Sequence, residues 1–295
     1  MDDLPSVRRV ATFSWGITKI AHAKALIGCN ELIFWPLSAD GIDAVVGWGL
    51  KDNTIVAREF AYKHGLPYWR LEDGFLRSVG LGVHKDTSLS MVLDDRGMYY
   101  DARRPSRLEM ILAGEGDALD QPDLLRQANE AISAICKHGL SKYNNSSTEP
   151  YLLPESGGRK RVLVVDQTAG DLSVACGLGH SGVFHDMLDA AIAEHPDAEI
   201  IFKTHPDVLS GVRQGYLSSP PAQVRLLAEA GNPIRLLQQV DHVYVVTSQL
   251  GFEALMVGKP VVCFGAPFYA GWGLTDDRLD IPRRNRERSL TQVFA

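Results

Sequence analysis

The sequence is poor in cysteine and has no long apolar run. It contains four widely separated cysteines, none in C-x-x-C spacing: Cys29, Cys136, Cys176 and Cys263. This usage predicts small buried apolar side chains in a reducing compartment. No apolar stretch reaches the roughly 20 residues that span a bilayer, and the amino-terminal MDDLPSVRRV lacks the apolar core of a secretion signal. We therefore expect a cytoplasmic protein.

Positive charge is also in short supply. The chain has 30 lysine and arginine residues against 36 aspartate and glutamate residues, a formal net charge of −6, whereas proteins that bind nucleic acid usually have the opposite balance. The apolar fraction of 45% and the charged fraction of 22% are those of an ordinary globular protein. At about 150 residues per domain, a chain of 295 residues predicts two domains.

Short apolar runs rich in β-branched residues alternate with stretches of helical periodicity, which predicts parallel sheets covered by helices. The predicted strands are 8–14, 31–35, 43–48, 68–71, 88–94, 161–165, 199–203, 243–246 and 261–264. The predicted helices are 17–28, 53–64, 183–194 and one that begins at Gly251. A polar helical region over 106–140 precedes the linker-like SKYNNSSTEP, so we place the domains at 1–150 and 151–295.

Open α/β sheets bind ligands at the carboxyl ends of their strands, so functional side chains are expected directly after each strand. In the first half, the strand at 68–71 is followed by Glu72, Asp73, Gly74, Arg77 and Ser78. Two close negative charges raise the pKa of one carboxyl group, which suits general acid–base catalysis near neutral pH. The same Asp-Gly pair is also a common turn, and both interpretations stay open.

In the second half, a run of polar groups follows the strand at 161–165: Asp166, Gln167, Gly170, Asp171 and Ser173. One of the two aspartates can act at the reacting carbon of a substrate. Alternatively, Asp171 or Ser173 caps the next helix, as these residue types commonly do.

Cationic and hydroxyl side chains follow the next two strands. Lys203 and His205 project to the same side of an extended chain and can neutralise a leaving phosphate. Thr247 and Ser248 begin a helix whose unpaired backbone N–H groups favour phosphate. Glu253, predicted in the first turn of that helix, either complements the helix dipole or accepts ribose hydroxyls.

Three further features have competing interpretations. The Gly-rich aromatic run 265–275 can stack on a sugar or a base, or it covers an edge of the core. The arginine-rich RRNRERS at 283–289 is expected on a solvated face, where it can also contact an anionic membrane surface. His180 and His185 are five residues apart with no obvious third ligand, so neither a catalytic metal nor another cofactor is expected.

Several long segments, taken together and in order, resemble the KpsC-type capsule polysaccharide β-Kdo transferases. These are EDGFLRSVGLG, DQTAGDLSV, KTHPDV and TSQLGFEALMVGKPVVCFGAPFYAGWGLT. The resemblance runs from FSWGI at 13–17 to the arginine-rich end and matches one module, of the amino-terminal type because of its DQT. It implies an α/β, GT-B-like fold with two Rossmann-like domains facing across a cleft, the acceptor side first and the CMP-sugar side second.

The resemblance also implies a reaction. A retaining β-Kdo transferase would move Kdo from CMP-Kdo to a Kdo-bearing glycolipid acceptor in synthesis of the capsule linker, by double displacement. Asp171 would be the nucleophile, with Asp166 as the runner-up, and Glu72 the acid/base supported by Asp73. The residues implied in binding the CMP phosphate are Lys203, His205, Thr247 and Ser248, with Glu253 on the ribose. Those implied in binding the sugar carboxylate are Arg77, Ser78, Gln167 and Ser173.

Expected partners are capsule assembly and export proteins, and the expected location is the cytoplasm with peripheral contact at the inner membrane.

Two other functions remain as alternatives. One is an inverting, sialyltransferase-like transfer from a CMP-sugar, in which Asp171 only positions the substrate. The other is a catalytically silent nucleotide-binding subunit of a capsule assembly complex.

Overall fold

The computed structural model describes residues 7–80, 88–114, 118–144, 153–205, 208, 211, 213–217, 220–228 and 231–295. Parts of the segments discussed above, namely Leu81, Gly82, Pro206, Asp207 and most of the predicted linker, lie outside the described residues. The chain forms two compact units. The first contains residues 1–99, 104–107 and 142–145, and the second contains residues 100–103, 108–141 and 146–295.

The first unit is built on a five-stranded sheet in the order β2-β1-β3-β4-β5. Its strands are β1 (Val7–Thr12), β2 (Cys29–Phe34), β3 (Ala44–Trp48), β4 (Tyr68–Asp73) and β5 (Met91–Asp94). The first four run parallel, and β5 pairs antiparallel with β4. The helices are α1 (Trp15–Thr18), α2 (Ala23–Ile27) and α3 (Ile55–Lys63), the last preceded by a 3₁₀ turn at Asp52–Thr54. The single helix predicted at 17–28 is therefore two short ones, interrupted before His22, whose φ of 61° is left-handed.

Both faces of the first sheet are buried at the central strand β3, as expected of parallel strands covered by helices. In β3, Ala44 and Val46 contribute to one apolar cluster, and Val45 contributes to the cluster on the opposite face. This alternation follows from the two-residue period of a strand. The α3 residues Ala57 and Ala61 pack in the same cluster as Val45.

The second unit is built on a six-stranded parallel sheet in the order β11-β10-β9-β6-β7-β8. Its strands are β6 (Arg161–Val165), β7 (Glu199–Lys203), β8 (Arg225–Leu227), β9 (His242–Val245), β10 (Val261–Cys263) and β11 (Asp276–Asp277). The sequence does not predict β8 or β11, because RLL and DD form no continuous apolar run, unlike the VVCF that contains the equally short β10. The α/β class with two Rossmann-like sheets is confirmed.

Seven helices among the described residues belong mainly to this unit. They are α4 (Arg107–Ala113), α5 (Pro122–His138), α6 (Leu172–Cys176), α7 (Val183–Glu194), α8 (Pro233–Leu237), α9 (Gln249–Met256) and α10 (Leu290–Phe294). The units do not correspond to a single cut at residue 150, because residues 108–141 group with the second unit. Within the described ranges, no helix is long and apolar enough to cross a membrane.

The arginine-rich end holds α4 in place. Arg283 and Arg284 pair with the buried carboxylate of Glu109, at 2.8 and 3.1 Å. Arg286 and Arg288 donate to the carbonyl of Gly114 just past the end of α4, at 3.0 and 2.9 Å. Helix carbonyls at this end have no partner within the helix, and these arginines supply donors. The prediction of a solvated face is therefore wrong for Arg284, whose side chain is 2% exposed.

The cysteines largely match their predicted environment. Cys29, Cys176 and Cys263 are buried, Cys136 is half-buried, and all four are free. Burial raises the pKa of each thiol, which disfavours the reactive thiolate form.

Candidate functional site

In the first unit, the carboxyl end of β4 leads into a loop braced by its own side chains. Asp73 accepts a hydrogen bond from Nε of Arg77 at 2.8 Å, and Nη1 of Arg77 donates to Oγ of Ser78 at 2.8 Å. Ser78 in turn donates to the carbonyl of Gly80 at 2.6 Å. Three of the predicted residues are thus brought together, and in this structure they fix the loop.

Glu72 and the adjacent Asp73 lie in different environments. Adjacent side chains on a strand point to opposite faces, and Asp73 is the one paired with Arg77. Burial raises the pKa of Glu72; the negative charge of Asp73 adds to the rise, while the Asp73 N–H, Lys142 and Lys51 oppose it. The shift was predicted from like-charge repulsion, whereas desolvation is the larger cause. Glu72 is therefore the carboxyl group in this pair that suits acid–base catalysis.

Gly74 is required by a close approach of two chain segments. A Cβ on Gly74 would collide with Oγ of Ser90 and lie 2.7 Å from its carbonyl carbon. The Gly74 N–H donates to the Ser90 carbonyl at 3.0 Å, and Ser90 Oγ donates to the carbonyl of Leu76 at 2.6 Å. The glycine of the E-D-G run thus lets the loop lie against the segment that enters β5.

In the second unit, three neighbouring parallel strands, β9, β6 and β7, end at the same edge. There Gln167 Oε1 accepts from the Thr247 N–H at 2.9 Å, and Gln167 Nε2 lies 3.0 Å from Oγ1 of Thr247. Gln167 Nε2 also lies 3.3 Å from Oγ of Ser173. Gln167, Thr247 and Ser173 therefore form one polar cluster, as the shared edge predicts.

Asp171 lies at the N-cap of α6. Its Oδ1 accepts a hydrogen bond from the Ser173 N–H at 2.9 Å, and its side chain is half-buried. The capping interpretation is thus confirmed, and a cap fixes the direction of the carboxylate. Its role as a nucleophile stays a prediction.

Lys203 and Glu253 interact through their charges in the interior of the second unit. Burial lowers the pKa of Lys203, and the negative charge of Glu253 opposes that shift. Glu253 is 2% exposed and accepts from Ser141 Oγ at 2.8 Å and from Gln249 Nε2 at 3.3 Å. Because α9 begins at Gln249 rather than Gly251, Glu253 is not in its first turn. The dipole interpretation of Glu253 is therefore wrong, and ribose binding stays a prediction.

The start of α9 has the predicted hydroxyl side chains. Ser248 is the N-cap, with its Oγ accepting from the Leu250 N–H at 3.2 Å, and Thr247 precedes it. His205 is half-buried beyond the end of β7, and its carbonyl accepts from the Val208 N–H at 3.0 Å. A role in phosphate binding for these residues remains a prediction.

The aromatic run after β10 is part of the core. Tyr269 and Trp272 are fully buried. Tyr269 donates its hydroxyl to the Ser248 carbonyl at 2.6 Å, and Trp272 donates its indole N–H to the Phe268 carbonyl at 2.9 Å. Stacking on a sugar or base is therefore wrong for these two rings, and the run covers a core edge instead.

One feature near the carboxyl ends of these strands has a sequence signal that the strand-end rule misses, and another has none. The run GLGHSG at 177–182 has G-x-G-x-x-G spacing and leads into α7. A Cβ on Gly177 would lie 2.5 Å from Cγ2 of Thr247, so this glycine allows close packing beneath the polar cluster. Tyr216, after an unremarkable polar stretch, accepts from the Gly170 N–H at 3.2 Å, and only the fold brings these residues together.

No group of three or more metal-ligating side chains occurs within the part of the chain that the structure describes. The expectation that the reaction needs no metal or other cofactor is not decided by this and stays a prediction.

Two Rossmann-like units, each with polar side chains after its parallel strands, define the class as a GT-B-like α/β protein. A family model described as "Capsule polysaccharide biosynthesis protein" matches residues 43–152 and 152–295. The chain belongs to this family, which confirms the resemblance found in its motifs.

Two curated relatives are substantially longer than this chain. It is 47% identical over 292 residues to the capsule polysaccharide modification protein LipA of Neisseria meningitidis, covering 96% of this chain and 41% of that protein. It is 43% identical over 256 residues to the lipopolysaccharide-processing protein LpsZ of Rhizobium meliloti, covering 85% and 57%. The chain thus spans less than half the length of LipA.

Two solved structures from Thermosulfurimonas dismutans match nearly the whole chain. The KpsC structure described as a beta Kdo 2,4 transferase has a TM-score of 0.90 and 43% identity over 97% of this chain and 88% of that one. The KpsC structure described as a beta Kdo 2,7 transferase has a TM-score of 0.70 and 27% identity over the same shares, 97% and 88%.

Proposed function

We propose that this chain is a retaining β-Kdo transferase that moves Kdo from CMP-Kdo to a Kdo-bearing glycolipid acceptor. The observation that carries the proposal is the 43% identity and TM-score of 0.90 to a KpsC beta Kdo 2,4 transferase, covering 97% of this chain. Because the 2,7 transferase is less similar, with a TM-score of 0.70, we further propose a 2,4 linkage.

The first step is attack by a carboxylate oxygen of Asp171 on the anomeric carbon of Kdo. A bond forms between that oxygen and the carbon, while the bond from the carbon to the phosphate oxygen breaks and CMP leaves with the electron pair. The transition state resembles an oxocarbenium ion, which a nearby carboxylate stabilises. The cap bond from the Ser173 N–H to Asp171 supports this role, because it fixes the carboxylate in one direction.

The departing CMP phosphate gains negative charge, which cations and helix-end N–H groups stabilise. We assign this task to Lys203, His205, Thr247 and Ser248. The position of Ser248 at the N-cap of α9 supports the assignment. Lys203 must be protonated to contribute, and a phosphate beside it would oppose the effect of burial on its pKa.

In the second step, Glu72 takes the proton of the acceptor hydroxyl as that oxygen attacks the anomeric carbon. The new glycosidic bond forms as the bond to Asp171 breaks, so the sugar keeps its original configuration. The raised pKa of Glu72 supports this role, because a carboxylate with a raised pKa is a stronger base.

The proposal is tested with CMP-Kdo and a synthetic Kdo-lipid acceptor. Wild-type protein is expected to yield a product with one added Kdo, whose anomeric configuration and linkage NMR reads. CMP-sialic acid in place of CMP-Kdo is expected to give no product. An inverted anomeric centre would refute double displacement and favour the sialyltransferase-like alternative. Absence of any transfer would favour a silent subunit.

The covalent step has its own test. Glu72→Gln is expected to lower turnover by about 10²–10⁴-fold and to accumulate a Kdo adduct visible by intact-protein mass spectrometry. Peptide mapping should place the adduct on Asp171. Asp171→Asn should form no adduct and lose turnover, whereas Asp189→Asn, at an exposed position on α7, should behave as wild type. An adduct on Asp166 instead would replace the nucleophile without changing the reaction.

A further inference from the structure

Tyr216 connects the two ends of the loop that follows β6. Its backbone N–H donates to Oδ1 of Asp166 at 3.2 Å, and its hydroxyl accepts from the Gly170 N–H at 3.2 Å. The ring is fixed between these contacts, stacked on Phe184 with centroids 4.2 Å apart and an interplanar angle of 8°. The stacked ring therefore orients the hydroxyl towards Gly170.

Backbone pairing adds to this connection. The Ala169 N–H donates to the Gln214 carbonyl at 2.7 Å, and Thr168 forms an antiparallel bridge with Gly215. Segment 214–216 thus contacts three successive residues of the loop, 168–170. The next residue is Asp171. Its N–H donates a hydrogen bond to the Thr168 carbonyl at 3.1 Å and completes a turn over 168–171.

Asp166 anchors the other end of this arrangement. Its side chain is 1% exposed, and within the described residues Oδ2 has no hydrogen-bond partner. A Cβ on Gly215 would collide with that oxygen, so the carboxyl group fits only beside a glycine. Burial raises the pKa of Asp166, against the opposing N–H groups of Gln167, Tyr216 and Leu217. Desolvation therefore disfavours the charged form of this carboxyl group.

We propose that Tyr216 and Asp166 are positioning residues for catalysis, which hold the turn at 168–171 so that Asp171 meets the anomeric carbon. The inference rests on the proposed function, in which Asp171 is the nucleophile. A displacement of about 1 Å at a reacting group can lower the rate by about 100-fold. The α6 cap fixes the carboxylate from one side, through Ser173, and the Tyr216 hydroxyl fixes the backbone from the other.

The test is Tyr216→Phe, which removes one hydroxyl and keeps the ring stacked on Phe184. Loss of one hydrogen bond that orients a reacting group should lower kcat by about 10-fold while leaving KM for CMP-Kdo unchanged. Amide hydrogen exchange in the peptide containing Gly170 should accelerate. Tyr62→Phe is the matched control, because that tyrosine is 92% exposed on α3; it should alter neither measurement.

Asp166→Asn gives an independent readout, since an amide keeps the shape of the carboxyl group and one acceptor oxygen. Exchange at Gly170 should stay slow in Asp166→Asn, whereas Asp166→Leu, which removes the acceptor of the Tyr216 N–H, should accelerate that exchange and lower kcat. A collapse of kcat in Asp166→Asn with folding intact would overturn the positioning role and point to a charged, reactive Asp166.

The inference and the proposed function can fail separately. Unchanged kcat and unchanged exchange in Tyr216→Phe, alongside an inactive Asp171→Asn, would refute only the positioning role. A fully active Asp171→Asn would refute the nucleophile and therefore the catalytic purpose of the turn, whatever the exchange data show.

Discussion

Replacing Glu109 with glutamine tests how the arginine-rich end stabilises the second unit. Glu109 is 5% exposed and pairs with Arg283 at 2.8 Å and Arg284 at 3.1 Å. Arg284 is the vulnerable partner, because its side chain is 2% exposed; its guanidinium also donates to the carbonyls of Pro267 and Ala270. The variant would remove the carboxylate paired with this buried guanidinium and leave it the charge interaction with Asp277.

The expected loss of unfolding free energy in Glu109→Gln is large for a single substitution. Removing one partner of a buried ion pair costs about 3–5 kcal/mol. Because glutamine still accepts one hydrogen bond and the Arg283 side chain is 39% exposed, we expect the lower limit, about 3 kcal/mol. For a unit of this size, that corresponds to a decrease in Tm of about 6–12 °C.

Urea unfolding followed by tryptophan fluorescence measures the free energy of unfolding. The control is Glu130→Gln, whose exposed pair with Arg126 at 2.9 Å should contribute less than about 1 kcal/mol. Equal losses in the two variants would refute the argument that Glu109 neutralises a buried charge. A stabilised Glu109→Gln would show that desolvation of the pair costs more than its attraction returns.

Two further predictions concern the first loop and a histidine in the second unit. Gly74→Ala should lower turnover and Tm, because its Cβ would collide with Ser90. Gly16→Ala is the control, since a Cβ there would have its nearest neighbouring atom at 3.6 Å. Equal effects of the two substitutions would contradict the argument. Burial, followed by the charges of His195 and Lys160, lowers the pKa of His242 from 6.5, against Asp241. The folded state thus favours the neutral imidazole of His242. The contribution of His242 to the free energy of unfolding is therefore complete above pH 6.5 and is lost as the pH falls towards the folded pKa. In His242→Gln the free energy of unfolding should depend less on pH. An unchanged slope of unfolding free energy against pH would refute this role of His242.

The first loop illustrates why two neighbouring carboxylates need not act as a pair. Glu72 and Asp73 are consecutive on β4, so the sequence suggests mutual repulsion. In the structure Asp73 is neutralised by Arg77 at 2.8 Å, and burial dominates the shift of Glu72. The difference between Glu72, the proposed acid/base, and Asp73, which braces the loop, follows from the strand period and from the side on which Arg77 lies.

The alternation of apolar strands and helical stretches determined the α/β class, and the rule that ligands bind at strand ends placed Gln167, Ser173 and Thr247 at one edge. These follow from local periodicity and parallel topology, which a single chain segment encodes. Burial and distant pairing were decided only by tertiary structure. Arg284 contacts Glu109 across 175 residues, and Tyr216 meets Gly170 across 46. Such contacts depend on packing between segments, and packing determines desolvation, which local sequence does not encode.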